Sequence, residues 1–250
     1  MKLAKKTLLG IGAAILIVAL TLMVIVLASL GNRVDLHGSV LVACVGDSIT
    51  EGSGYPSELQ NMLGSSYMVE NFGVSGASVM VESGKPYVNL TAFQNAKEFL
   101  PEIVVIMLGT NDARSYSLPH IENFVSEYEN LISAFQGLTS KPEIFLVKPP
   151  PIFDNNLGLN STIFVQDVIP RIDQVASELR LPLTDVYAAL INHSAYFPDG
   201  VHPNNEGAEI IATEVSNGIT SIDSTRAIAA ETAQTECYHN AIKIVLEKRS

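Results

Sequence analysis

Short, dense apolar blocks alternate along the chain with longer stretches in which apolar residues recur every three or four positions. The blocks are Val40 to Val45, Tyr67 to Glu70, Glu102 to Leu108, Glu143 to Val147 and Leu183 to Val186. Each is rich in aliphatic or β-branched residues and bounded by turn-forming ones, which predicts five strands. Glu102 to Leu108 reads EIVVIML, the composition of a strand covered on both faces. Between the blocks, Ser57 to Leu63, Pro119 to Phe135, Val165 to Leu179 and Asn205 to Val215 carry helical patterns. In the second of these the stripe is Ile121, Phe124, Val125, Tyr128, Leu131, Ile132 and Phe135. Alternating strands and helices predict a five-stranded parallel sheet in a three-layer α/β/α sandwich. In such sheets ligands bind beyond the carboxyl ends of the strands.

The N-terminus has a different pattern. Leu8 to Leu30 contains no charged residue and is long enough to cross a hydrocarbon core of roughly 30 Å as a helix. Lys2, Lys5 and Lys6 precede it. The positive-inside rule therefore predicts residues 1–7 in the cytoplasm, residues 8–30 as a transmembrane signal anchor, and everything after them outside. The alternative is a cleaved signal peptide with a processing site at Val26-Leu27-Ala28, but its apolar region would exceed the usual ~7–15 residues. In both cases the rest of the chain is exported. Residues 31–38 read as a polar linker, 39–219 as one domain, and 220–250 as an Ala-rich helical tail.

Charge narrows the function. The net charge is -11, and the first 30 residues hold three lysines and no acid, leaving 12 basic against 26 acidic residues. Such a domain is repelled by nucleic acid, and no basic stripe offsets that. Apolar residues at 47% and charged residues at 16% exclude wholesale disorder. The two cysteines, Cys44 and Cys237, give neither a disulfide framework nor metal-ligand spacing. Cys44 lies within the first apolar block and reads as a small buried hydrophobe.

The chemistry gathers at the strand ends. After the first block comes Gly46-Asp47-Ser48, within the stretch ACVGDSITEG. Alone, that stretch reads as an ordinary turn. After the second comes Asn71 to Gly76, NFGVSG; after the third, Gly109-Thr110-Asn111-Asp112; after the fifth, Asp199-Gly200-Val201-His202-Pro203. Together and in this order they resemble the four sequence blocks of the SGNH hydrolases, the GDSL esterase and lipase superfamily, from about Val40 to Ala212.

The resemblance implies a flavodoxin-like fold and a serine esterase needing no cofactor and no metal. It implies Ser48 as nucleophile, with the backbone N–H groups of Ser48 and Gly73 and the side-chain amide of Asn111 as the oxyanion hole. The residue types suit these roles. A serine hydroxyl needs a neighbouring base. Among five histidines, His202 has an aspartate, Asp199, three residues earlier to hold one tautomer. His193 lacks such a partner and reads as a surface residue, and His37, His120 and His239 lie outside the blocks. Glycine lets a backbone amide approach a substrate, and an asparagine amide donates without a charge. Each residue also has a plain structural reading: a polar turn for Asp199 and His202, a sharp turn for Gly73, a helix cap for Asn111. Asp47 and Asp112 read as loop supports through backbone hydrogen bonds. No Gly-x-Ser-x-Gly elbow, dinucleotide fingerprint, P-loop or His/Cys cluster occurs.

The substrate is less defined. Lys148 to Asp154, KPPPIFD, follows the fourth block and is expected at the pocket rim, as a stiff wall or a rigid connection. From PPPIFD through FPDGVHPN the chain resembles the carbohydrate O-acetylesterase branch, sialate O-acetylesterase-like proteins included. This implies removal of acetyl groups from extracellular carbohydrate. A lysophospholipase or thioesterase, an acyltransferase to sugar, and a glycan-binding module without catalysis remain as alternatives. The complete set Ser48, Gly73, Asn111, Asp199 and His202 argues against the last.

Overall fold

Five strands, β1 (Val40–Gly46), β2 (Tyr67–Gly73), β3 (Ile103–Met107), β4 (Glu143–Lys148) and β5 (Leu183–Asp185), form one sheet. The order is β2-β1-β3-β4-β5 and every pairing is parallel. The structure, a computed structural model, describes residues 38–222. The expected anchor at residues 8–30, most of the linker, the tail beyond residue 222, His37, Cys237 and His239 lie outside the described residues. Among those described, no helix is long and apolar enough to cross a membrane.

Alternation along the strands divides the core into two layers. Val45, Val104, Ile106, Ile144 and Leu146 face one cluster; Val42, Cys44, Ile103, Val105, Met107, Phe145 and Val147 face the other. Among the described residues, the helices that cover the sheet or cap its strand ends include α1 (Ser48–Gly52), α2 (Tyr55–Leu63), α3 (Thr91–Glu98), α4 (Phe124–Gln136), α5 (Ile169–Leu179), α6 (Val186–Leu190) and α7 (residues 205–222). On the first face pack Phe93 of α3, the stripe Phe124, Tyr128, Leu131, Ile132 and Phe135 of α4, and Ile172 and Val175 of α5. On the second pack Tyr55 and Leu59 of α2 with Ala208, Ile211, Ala212, Val215 and Ile219 of α7. Each fully buried aliphatic or aromatic side chain here contributes about 1.5–3 kcal/mol.

The departures from the sequence pattern have local causes. β2 continues to Gly73, three residues past the expected end, because as an edge strand it has only one neighbour and tolerates Glu70 and Asn71 on exposed positions. The expected helix from Val165 starts earlier, at Ser161, and passes through a π-helical turn, Phe164–Val168, ahead of Pro170, which lacks an N–H and whose ring crowds the preceding carbonyls. Leu118–Asn123 forms a 3₁₀ turn ahead of α4. Asp185 ends β5 by capping α6, its carboxylate accepting the Ala188 N–H at 2.9 Å. α7 runs past Val215 to residue 222.

Candidate active site

Gly46 at the end of β1 pairs with Gly73 of β2 on one side and Met107 of β3 on the other, so three strands end at one level. The chain leaves β1 toward one edge and returns through β3 on the other side. This is the switch point at which open parallel sheets bind ligands. Ser48, the Asn71–Gly76 segment and Asn111 all start from it.

Ser48 opens α1 and is half-buried. Its backbone is fixed by Asp47, which is buried and caps the helix: the carboxylate accepts the Ile49 N–H at 2.9 Å and the carbonyl accepts the Glu51 N–H at 2.9 Å. Burial pushes the Asp47 carboxyl up to about 6, against the pull of the Ile49 N–H. The Ser48 N–H, one of the free donors of the first helical turn, has no partner among the described residues.

The serine meets a residue 154 positions away. His202 Nε2 lies 2.8 Å from Ser48 Oγ. The other ring nitrogen, Nδ1, lies 2.6 Å from Asp199 Oδ2. Asp199 Oδ1 accepts the N–H groups of Val201 at 2.9 Å and His202 at 2.7 Å, closing the turn on itself. Partial burial raises the Asp199 pKa, but hydrogen bonds from the His202 ring and the two backbone N–H groups outweigh it and hold the carboxyl below its usual range. Hydroxyl, imidazole and carboxylate thus stand in series, the arrangement through which a proton can pass from Oγ to Nε2 while the carboxylate balances the ring's charge.

The KPPPIFD stretch supports this turn from beneath. Pro149, Pro150 and Pro151 are buried, so they are a rigid connection and not an exposed rim. Lys148 is tied to Asp173 at 2.8 Å and Asp185 at 2.9 Å. Further on, Phe153 donates its N–H to the Gly200 carbonyl at 2.8 Å, and its ring packs against Phe197 with centroids 5.1 Å apart. Gly200 has φ 82, and a Cβ there would lie 2.8 Å from the Asp154 carbonyl carbon. Only glycine fits.

On the other side of Ser48, Asn111 is buried, its amide donating to the Ala77 carbonyl at 3.0 Å and, more loosely, to Asp47 at 3.5 Å. Asp112 accepts the N–H groups of Val79 and Met80, both at 2.9 Å, and fastens the loop after β2 to the end of β3. Both aspartates thus accept backbone N–H groups, as expected of loop supports.

Gly73 departs from its expected place. Its N–H is already taken by Asn71 Oδ1 at 2.9 Å. A Cβ would lie 2.7 Å from the Thr50 carbonyl carbon and 2.8 Å from Glu51 Cα, so this glycine lets β2 pack against α1. Asn71 reinforces that contact, donating to the Thr50 carbonyl at 2.8 Å. The second glycine of the block differs. Gly76 has φ 78 in the turn closed by the Ala77 N–H on the Val74 carbonyl at 3.0 Å, and its N–H has no partner among the described residues. The next carbonyl, Ala77's, is the one Asn111 holds. The sequence signal was the Ser-Gly pair, which suits the third position of a type II turn.

Cys44 is buried, and burial pushes its thiol up to about 12, leaving no thiolate at neutral pH. His193 stacks on Tyr196, centroids 5.0 Å apart. Among the described residues no group of three or more His, Cys, Asp or Glu side chains converges as a metal site would require.

A doubly wound parallel sheet with a serine, a histidine and a carboxylate in series beyond its carboxyl edge has the architecture of an SGNH-type hydrolase. The chain belongs to the GDSL-like lipase/acylhydrolase family, whose pattern residues 44–210 match. It is 31% identical over 207 residues to an acetylxylan esterase of Xylanibacter ruminicola, covering 72% of this chain and 43% of that one. It therefore spans about half the length, or less, of the curated relatives it matches. The fold is shared with an aryl esterase of M. smegmatis (TM-score 0.60, 18% identity, 73% of this chain and 99% of that one). It is shared also with a carbohydrate acetylesterase of Sinorhizobium meliloti (TM-score 0.59, 17% identity, 73% and 99%).

Proposed function

We propose that the protein is an esterase that removes acetyl groups from carbohydrate outside the cytoplasm, with Ser48 as nucleophile, His202 as base and Asp199 as its orienting carboxylate. The observation that carries the mechanism is the 2.8 Å approach of His202 Nε2 to Ser48 Oγ. Ser48 Oγ attacks the ester carbonyl as its proton passes to Nε2. The oxyanion is received by the N–H groups of Ser48 and Gly76 and by the Asn111 amide, which keeps its bond to the Ala77 carbonyl and exchanges its loose 3.5 Å contact with Asp47 for the oxyanion, with Gly76 in the place expected of Gly73. As the carbonyl re-forms and the bond to the sugar oxygen breaks, His202 gives the proton to that oxygen, and the sugar leaves as a free hydroxyl. In the second half, water attacks acetyl-Ser48 and gives a proton to His202, which passes it to Ser48 Oγ as the acyl–oxygen bond breaks and the acetyl group leaves as acetic acid.

Acetyl and carbohydrate are favoured by the relative that acts on acetylxylan and by the polar surroundings of Asp199. A cleft of about 350 Å³ beside it is lined by Asp154, Asn155 and Asn156, with Leu157 and Pro198 as its apolar residues. A long acyl chain needs an apolar channel, in which each buried CH₂ adds ~0.8 kcal/mol. On nitrophenyl esters, kcat/KM is expected to decline from two to eight carbons, and acetate is expected from acetylated xylan or O-acetylated sialosides. A rising series with no acetate from any sugar would transfer the reading to a lysophospholipase with the same catalytic residues.

The uncharged stretch Leu8 to Leu30 behind Lys2, Lys5 and Lys6 supports an anchored enzyme facing outward. Protease added to intact cells is expected to remove the domain and leave a small N-terminal membrane fragment. Domain protected until lysis would overturn this orientation, and a mature chain starting near Ser29 would replace the anchor by a cleaved signal.

A further inference from the structure

The turn from Val74 to Ala77 has Ser75 and Gly76 as its two central residues, and Gly76 at φ 78 makes it type II. Types I and II differ by a rotation of roughly 180° of the peptide between the two central residues, at nearly constant positions of everything else. Here that unit is the Ser75–Gly76 peptide. Its carbonyl and its N–H point in opposite directions, since the bond is trans. Whichever side the carbonyl takes, the N–H takes the other.

The carbonyl side is held by a charge. Lys85 Nζ donates to the Ser75 carbonyl at 2.8 Å, and the lysine stem runs over Gly76, its Cδ 3.8 Å from where a Cβ would stand. The backbone of Lys85 is anchored in turn, its carbonyl accepting the Ser78 N–H at 2.9 Å, while Ser78 accepts the Tyr87 N–H at 2.9 Å. Ser75 is gripped on its other peptide as well: its N–H donates to Glu51 Oε2 at 2.8 Å, from the helix that Ser48 begins. One residue is thus held by a carboxylate at its N–H and by an ammonium at its C=O, both charge-assisted contacts.

We propose that Lys85 is a positioning residue of the ester-cleaving site: its ammonium keeps the Ser75–Gly76 peptide in the orientation that turns the Gly76 N–H, and not the Ser75 carbonyl, toward the developing oxyanion. The inference rests on the reading of Ser48 as nucleophile and of Gly76 as an oxyanion donor. Without the ammonium the peptide samples the flipped state, which presents a lone pair where a donor is needed. The contact is on an exposed side chain, so the effect is smaller than the loss of a donor outright.

The test uses the full chain with Lys85→Met, which keeps the stem, and Lys85→Arg, which keeps the charge. Lys85→Met is expected to lower kcat on an acetyl ester about 10-fold at nearly constant KM, with an unchanged thermal midpoint. A boronic acid that forms a tetrahedral anion on Ser48 should bind it weaker by the same factor, and Lys85→Arg should restore most of both. A Lys85→Met enzyme with wild-type kcat and boronate affinity overturns the proposal while leaving the nucleophile in place. So does an equal loss in both variants, which would mean that packing alone matters. Wild-type protein that a fluorophosphonate fails to label at Ser48 removes the underlying reading, and the proposal with it.

Discussion

Replacing Ser48 or His202 with alanine lowers kcat on acetyl esters by about 10⁴-fold or more, and the double variant is no slower than either single one. In the proposed mechanism the two side chains act as a unit across one 2.8 Å contact, so removing either abolishes the same proton transfer. Stability should change little, because Ser48 is half-buried and its side chain makes no other hydrogen bond among the described residues, while His202 is 40% exposed. Steady-state kinetics beside thermal melts of the three variants check this. Losses that multiply in the double variant, or a Ser48→Ala protein that keeps its esterase activity, would end the assignment.

Asp199→Asn is expected to cost about 10³–10⁴-fold in kcat without unfolding the turn. Asp199 Oδ1 accepts two backbone N–H groups while Oδ2 faces the ring. An amide offers one acceptor and one donor group. If its oxygen keeps the two backbone partners, its NH₂ faces Nδ1, which must then accept, and the ring proton moves to Nε2. A protonated Nε2 cannot take the serine proton. The depressed pKa keeps Asp199 ionised into acid, so its negative charge is lost only when low pH protonates it. Imidazole ¹⁵N shifts report the tautomer directly. An Asn variant with a tenth or more of the native kcat would refute this role.

The meeting of Ser48, Asp199 and His202 was legible because these polar residues follow strand ends, and the carboxyl ends of parallel strands converge on one edge of the sheet. The buried strands were legible for a related reason: β3 is covered on both faces and must be apolar throughout. What the sequence hid was set by neighbours. β2 was cut short at Glu70 because an edge strand carries polar residues that its single partner tolerates. Gly73 and Gly76 look alike as letters, and only the contact of β2 with α1 and the hydrogen bond from Gly73 to Asn71 separate the packed glycine from the one with a free donor. Proline composition could not say whether Pro149 to Pro151 were a wall or a strut; burial decides for the strut. The π-helical turn before Pro170 was likewise invisible to a pattern that counts apolar positions.

The 154-residue separation of Ser48 from His202 has a consequence for the life of the molecule before it is finished. During synthesis Ser48 emerges early, and the histidine that meets it follows only when nearly all of the domain has been made. The turn that carries His202 is bonded to the segment after β4, through the Phe153 N–H on the Gly200 carbonyl at 2.8 Å, and so depends on chain that is made long after Ser48. If Ser48 and His202 act as proposed, a nascent chain that lacks the turn at residues 199–203 has no base beside its serine, and hydrolytic power comes only with the completed fold.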